Sequence, residues 1–242
     1  MTYTDIFFDL DGTLTDSKPG IIRSVEHALD FFHIHVPPEQ LIPFIGPPLH
    51  DSFAPFFDND TARVDLAIQK YREYYSVKGI FENSLYDGIT DLLRGLQALG
   101  RRLCVATSKP EPFARRVLEH FRIDGFFSFV AGAELHGPRN NKTEVLRYAC
   151  TQLGIEDMNP CLMVGDRKYD MRGAHNVGMA CAGVLYGYGP REELTEARAE
   201  YLCASVDDLE KLLLADAPGA GAGDFRNKKD QNHPHSGLTP VK

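Results

Sequence analysis

The sequence predicts an α/β protein with a parallel sheet and one inserted helical segment, on three observations. Short apolar runs alternate with stretches of helical spacing, two of those runs end abruptly in acidic turns, and residues 17–85 carry helical patterning without a strand signal. The strand-like runs fall at residues 3–8, 102–106, 126–130, 161–164, 179–184 and 201–204. Between them, apolar residues recur every three or four positions over 88–99, 112–121, 142–153, 169–177 and 206–214. Gly100 and Gly154 stand just past two of these stretches, where a helix ends most easily in left-handed backbone. Strands joined by helices lie parallel, and a sheet covered on both faces uses short, nearly continuous apolar strands.

The core is therefore expected from residues 1–16 and 86–214, with a helical insert over 17–85. The insert's first helix should begin near Ser17 or Lys18, with Pro19 in its first turn and Ile21, Ile22, Val25, Leu29 and Phe32 on one face. A second should cover 61–77. Between them, Phe44-Ile45-Gly46-Pro47-Pro48-Leu49 forms a stiff loop, because each proline fixes φ and removes a donor. From Ala215 to Lys242 the chain has almost nothing to bury, which predicts a disordered tail.

Composition narrows the function. The 242 residues carry a net charge of −8 and are 43% hydrophobic, which suits a globular protein and excludes a small disulfide-stapled scaffold. The N-terminus lacks a basic region before its apolar run, and no stretch approaches 18 apolar residues, so neither export nor a membrane partner is expected. Five cysteines without a CxxC pair read as reduced core thiols of a cytoplasmic protein. An acidic balance without a block of Lys or Arg argues against a nucleic-acid polymer as partner. The close histidine pairs His33/His35 and His233/His235 lack partners at zinc-site spacing, and His27, His120 and His175 read as helix-face residues.

The chemistry concentrates at strand ends, where open α/β sheets place their ligands. Asp9 and Asp11 follow the first strand, and Gly12-Thr13 turns the chain so that one carboxylate can attack while the other moves a proton. Taken alone the pair also reads as solvated loop aspartates, whereas a calcium loop is disfavoured by Leu14 at the sixth position and by the preceding strand. A second acidic turn, Gly165-Asp166-Arg167-Lys168-Tyr169-Asp170, ends another strand and opens a helix. Asp9 with Asp166 or Asp170 would make the oxygen-only environment that suits Mg²⁺. Thr107-Ser108-Lys109-Pro110 at a third strand end and Lys142 at a helix start complete the set; either alone reads equally as a cap or a surface lysine.

In this order the four motifs resemble the haloacid dehalogenase-like phosphohydrolases, over about residues 3–213. The resemblance implies a Rossmann-like core with an inserted helical cap, and a Mg²⁺-dependent phosphomonoester hydrolase acting on a small phosphorylated metabolite. It implies that Asp9 attacks phosphorus to form an aspartyl-phosphate and that Asp11 protonates the leaving oxygen and later activates water. Thr107 and Lys142 would hold the phosphoryl oxygens, with Ser108 beside them. Asp9, the Asp11 carbonyl and Asp166 would bind Mg²⁺, with Asp170 in support. In the cap, Gly46 and Lys78 are the expected substrate contacts, and Lys109, Arg167 and Lys168 would add positive potential beside the site.

Within the family, Asp11 disfavours a dehalogenase, and Thr13 favours a phosphatase over a sugar phosphomutase. All four motifs are intact, which disfavours a non-catalytic phosphate-binding module. Thr107-Ser108-Lys109-Pro110 is similar to phosphoglycolate phosphatases. Phe44–Leu49, Gly165–Ala174 and Tyr186-Gly187-Tyr188-Gly189 look more like a bacterial 5′-nucleotidase-like branch, which is the preferred expectation.

Overall fold

A computed structural model describes residues 2–135 and 137–214; the tail expected over 215–242 lies outside the described residues. In chain order the regular elements are β1 (Asp5–Phe8), β2 (Thr15–Asp16), α1 (Lys18–Phe31), α2 (Leu49–Phe53), α3 (Thr61–Tyr75), β3 (Ser84–Leu85), α4 (Ile89–Ala98) and β4 (Arg102–Pro110). Then follow α5 (Glu111–His120), β5 (Phe129–Ala133), α6 (Lys142–Leu153), β6 (Cys161–Gly165), α7 (Lys168–Val177), β7 (Ala180–Val184), α8 (Arg191–Glu196), β8 (Tyr201–Cys203) and α9 (Val206–Leu213).

Alternation along β1 shows why a parallel sheet forms here. Ile6 and Phe8 enter a core that includes Leu92 and Leu96 of α4, Val117 of α5 and Leu209 of α9. Phe7 points the other way, into a core with Val145 and Leu146 of α6 and Met171 of α7. Both faces of the strand are covered, so Ile6, Phe7 and Phe8 are fully buried and β1 lies inside the sheet. It pairs in parallel with β4 (Phe8 with Val105) and with β6 (Phe8 with Val164), in a six-stranded sheet of order β5-β4-β1-β6-β7-β8. The carboxyl ends of β4, β1 and β6 are therefore neighbours.

The chain between β2 and β3 is helical, as the patterning predicts. Val25, Ala28 and Leu29 of α1 pack in one core with Val64, Ala67, Tyr71 and Tyr75 of α3. The structure departs from the sequence expectation at several places; β5, for one, spans Phe129–Ala133 rather than 126–130, because a tight turn occupies Asp124–Phe126. The ends of the insert are closed by a short antiparallel ribbon, Thr15 opposite Leu85 and Asp16 opposite Ser84, too short to show an alternating pattern. The second helix stops at Tyr75 rather than 77, where Val77 and Lys78 bond back to the Tyr74 carbonyl as a turn. Strand β4 runs on to Pro110, past a register shift between Ala106 and Pro110. Among the described residues no helix is long and apolar enough to cross a membrane, and all five cysteines are free and buried.

One glycine contact fixes the insert's geometry. A Cβ at Gly20 of α1 would stand 1.8 Å from the carbonyl oxygen of Gly79, and Gly20 N donates to Glu82 O at 3.0 Å. In an ordinary helix, Gly to Ala stabilises by roughly 1 kcal/mol. Here Gly20→Ala must push α1 off the 79–82 turn, so the expected outcome is a loss of about 1–3 kcal/mol. Urea unfolding should show a lower midpoint with unchanged slope.

Candidate active site

Asp9 continues β1 by one residue, its N–H donating to Val164 O at 2.9 Å. Beyond it the chain winds around one carbonyl: the N–H groups of Thr13, Leu14 and Thr15 all point to Leu10 O, at 3.3, 2.9 and 3.0 Å. Gly12 sits in this turn at φ +82°, and a Cβ there would lie 2.2 Å from Asp166 Oδ2, so both backbone shape and space demand glycine. The tight turn sends the two carboxylates to different cations. Asp9 Oδ1 accepts from Leu10 N at 2.7 Å and lies 3.0 Å from Lys142 Nζ. Asp11 is held instead by Lys109, whose ammonium contacts both of its carboxylate oxygens.

Lys142 opens α6, whose N-terminus is capped by Asn141 Oδ1 accepting from Glu144 N at 3.1 Å. The side chain is buried, and its Nζ donates to Ala106 O at 2.7 Å and stands 2.8 Å from Asp170 Oδ1. Burial alone would lower its pKa, but Asp170 and Asp9 hold it above the ordinary lysine value. One ammonium thus ties together the ends of β1 and β4 and the first turn of α7.

The carboxylates outnumber it. Asp166 is fully buried; its Oδ2 accepts from Tyr188 N at 2.7 Å, while Oδ1 has no hydrogen-bond partner. Burial, then Asp170 and Asp9, push its pKa well above the usual carboxylate range. Asp170 accepts from Arg167 N at 3.0 Å, and burial raises it to about 6 against the pull of Lys142. Asp9, Asp166 and Asp170 each offer an oxygen within 4.8 Å of the others. An all-oxygen donor set with an orphaned buried oxygen and excess negative charge fits a hard divalent cation such as Mg²⁺.

Thr107 is buried, its hydroxyl accepting from Lys109 N at 3.2 Å. Ser108, Asp9 and Asp11 open onto a cavity of about 730 Å³ between the insert and the core. Gly46, Pro47 and Pro48 form part of its wall, as the stiff loop led us to expect. Lys78 does not: it is exposed in the turn after α3, 5.9 Å from the Tyr74 ring, because the helix ends before it. Arg167 does add potential, since its charge opposes the upward shift of Asp166, but its guanidinium bonds elsewhere. Arg167 pairs with Glu193 at 2.9 Å and donates to Ile45 O, and Lys168 lies 5.5 Å from the Tyr169 ring. Of the three cations expected to add potential, Lys109 bonds a site carboxylate directly and Arg167 acts on Asp166 through space.

The sequence did not single out Tyr71, Tyr75 and Phe113, which join Phe44 of the stiff loop in an aromatic cavity wall, because aromatics at helical spacing carry no mark that separates a cavity face from a core face. Pattern reading also missed Arg72 of α3, which lines the same cavity. Among the described residues Arg72 has no carboxylate partner, and burial lowers its pKa from the ordinary guanidinium value. No local signal marked it, because its role depends on which way α3 faces.

Positive groups and hydroxyls gathered around two strand-end carboxylates suit a phosphate ester, so fold and site define a phosphoryl-transfer class of enzyme. The comparisons agree. Residues 6–184 match the model of the haloacid dehalogenase-like hydrolases. A 5′-nucleotidase of Pseudomonas aeruginosa is 43% identical over 214 residues, covering 88% of this chain and 96% of that one. Tyrosine-protein kinase PtkA of Mycobacterium tuberculosis is 41% identical over 211 residues, covering 86% and 72%. The crystal structure of a predicted phosphatase from Clostridium acetobutylicum superposes with a TM-score of 0.85 at 44% identity, covering 89% of this chain and all of that one. The chain belongs to the haloacid dehalogenase-like hydrolase family and is one of its phosphatases.

Lys142→Ala should slow phosphate release about 10²–10³-fold, the scale of one lost electrostatic contact in a closed site, roughly 3–4 kcal/mol. Steady-state kinetics on protein with an unchanged circular-dichroism spectrum would check this. Kinetics equal to those of the unmutated enzyme would remove Lys142 from the site.

Proposed function

We propose that the protein is a Mg²⁺-dependent phosphomonoester hydrolase that works through an aspartyl-phosphate on Asp9 and prefers 5′-nucleoside monophosphates. The observation that carries the substrate preference is the cavity. About 730 Å³ walled by Phe44, Tyr71, Tyr75 and Phe113 accommodates a base and ribose, far more than a two-carbon acid needs. The similarity to a 5′-nucleotidase points the same way.

In this reading both partners of Asp9 engage Oδ1, which leaves Oδ2 to attack phosphorus. As the new P–O bond forms, the ester P–O bond breaks and Asp11 gives its proton to the leaving oxygen. Asp11 then takes a proton from water, whose oxygen displaces Asp9 and frees inorganic phosphate. Lys109 keeps the Asp11 carboxylate oriented between the steps. Lys142 balances charge on Asp9, and the hydroxyls of Thr107 and Ser108 donate to phosphoryl oxygens. Asp9, the Asp11 carbonyl and Asp166 would hold Mg²⁺, with Asp170 in support; when bound, the ion neutralises charge on the transferring group. The helical insert acts as a cap that keeps water from the leaving group.

Phosphate release should be measured on a panel of 5′-nucleoside monophosphates, 2-phosphoglycolate and sugar phosphates, with Mg²⁺ or with EDTA. Nucleotides should lead, EDTA should stop turnover, and Asp9→Asn should be inactive while still folded. Full activity in Asp9→Asn would sink the mechanism, whereas a preference for 2-phosphoglycolate would keep it and replace the substrate.

Arg72 supplies a finer test, since a half-buried guanidinium on the cavity wall, without a carboxylate partner among the described residues, is placed to bind the leaving group. Arg72→Ala should raise KM for nucleotides about tenfold, the worth of one charge-assisted contact, with kcat changed less than about twofold. An unchanged KM would exclude Arg72 from recognition.

A further inference from the structure

A second cluster of ligand-type side chains lies away from the phosphoryl site. His175 is in the last turn of α7, Cys181 near the start of β7 and Glu200 immediately before β8. Because the strands are parallel, this places the three at the amino edge of the sheet, opposite the edge that carries Asp9. Helix α7 connects the two edges, with Asp170 in its first turn and His175 in its last.

Three kinds of donor, sulfur, nitrogen and oxygen, converge there. Cys181 Sγ is 3.5 Å from His175 Nε2 and 2.9 Å from Glu200 Oε2, and His175 Nε2 is 3.1 Å from Glu200 Oε1. A tetrahedral zinc ion with bonds of about 2.3 Å to sulfur and about 2.0–2.2 Å to nitrogen and oxygen sets its ligand atoms roughly 3.3–3.6 Å apart. Here the Glu200 carboxylate spans the gap, with Oε2 at the sulfur and Oε1 at the ring nitrogen, and one ligand atom from each of the three residues lies within 4.8 Å of the others, so a small rotation of the carboxylate is needed to reach that spacing. We propose that His175, Cys181 and Glu200 form a binding site for a borderline divalent cation of the zinc class, distinct from the oxygen-only Mg²⁺ site.

Donor chemistry supports the choice of ion. Thiolate with imidazole and one carboxylate suits zinc, whereas Mg²⁺ prefers oxygen alone. The geometry does not match a Cys–His–carboxylate catalytic relay. Such a chain needs sulfur at one ring nitrogen and the carboxylate at the other, but both contact Nε2 here.

The surroundings hold the donors in place. Cys181 N donates to Glu200 Oε2 at 2.8 Å and Glu200 N donates to Cys181 O at 3.2 Å, so the peptide of one ligand orients the other. Cys181 is buried beneath its two partners, while the side chains of His175 and Glu200 are 33% and 41% exposed. That opening provides the entry path and a fourth position for water. On binding, the thiol proton goes to solvent as the sulfur–metal bond forms. The ion would pin α7 to the β7–β8 edge, and by mass action would stabilise the folded state only.

The test uses the full chain, stripped of metal and then titrated with Co²⁺ in excess Mg²⁺. One equivalent of Co²⁺ should produce a thiolate-to-cobalt charge-transfer band, which the sulfur-free carboxylate site cannot give. Cys181→Ser should abolish the band, and His175→Ala should weaken Co²⁺ binding at least tenfold while keeping Mg²⁺-dependent phosphate release. Zn²⁺ should raise the Tm of the unmutated protein and leave that of His175→Ala unchanged. No band at saturating Co²⁺, or an undiminished band in Cys181→Ser, overturns the proposal. If Cys181→Ser does not fold, Glu200→Gln takes its place, and undiminished Co²⁺ affinity in that variant is equally fatal. The cobalt band, the Co²⁺ affinity and the Tm shift depend on neither the substrate nor the aspartyl-phosphate mechanism, so they stand or fall apart from the proposed function.

Discussion

The buried ammonium of Lys142 is the interaction on which the rest of the site depends. It meets Asp9, Asp170 and the Ala106 carbonyl, groups from two strand ends and a helix start that would otherwise face one another as uncompensated charge and dipole. Two unit charges about 4 Å apart repel by roughly 4 kcal/mol at an effective dielectric near 20. One lysine cannot balance Asp9, Asp166 and Asp170 together. The remaining deficit is visible in the unpartnered Asp166 oxygen and in the upward shift of its carboxyl, and it is what a divalent cation and a phosphoryl group would redistribute.

The same economy of charge joins the insert to the core. Lys109 pairs with Asp11 and lies 5.3 Å from the ring of Tyr75 in α3, so this core carboxylate is linked to the insert through one cation. On the other side Arg167, paired with Glu193, reaches Ile45 beside the Gly46-Pro47-Pro48 loop. At the base, Tyr188 donates to Asp16 at 2.8 Å and accepts from Lys18 N at 3.0 Å, next to the β2–β3 ribbon where the chain leaves and re-enters the core. These contacts tie the insert to the core at three points, and each uses a residue close in sequence to one of the acidic or lysine motifs.

Helix α7 gives the molecule an axis between two kinds of chemistry. Its first turn offers oxygen from Asp170 to a hard cation, and its last turn offers imidazole nitrogen from His175 beside a cysteine sulfur. Gly173 lies between them, where a Cβ would stand 2.7 Å from Lys142 Cγ, so the helix packs directly on the lysine stem. A ligand at either end would therefore bear on the same rigid element.

The sequence by itself determined the alternation of strands and helices, the helical insert, and the pairing of Asp9-x-Asp11 with Thr107, Lys142 and Asp166/Asp170. These signals are local: hydrophobic period, proline and glycine punctuation, and acidic turns that follow apolar runs. What only the tertiary structure decided are the long-range meetings. Lys109 with Asp11, Arg72 on the cavity wall, Lys78 turned away from it, and His175 beside Cys181 and Glu200 depend on register and helix rotation. A one-residue shift of a strand flips a side chain to the other face, and about 100° of helix rotation separates a cavity residue from an exposed one. Motif spacing records what lies next to what along the chain, whereas ligand sets and specificity depend on which faces the folded core turns toward one another.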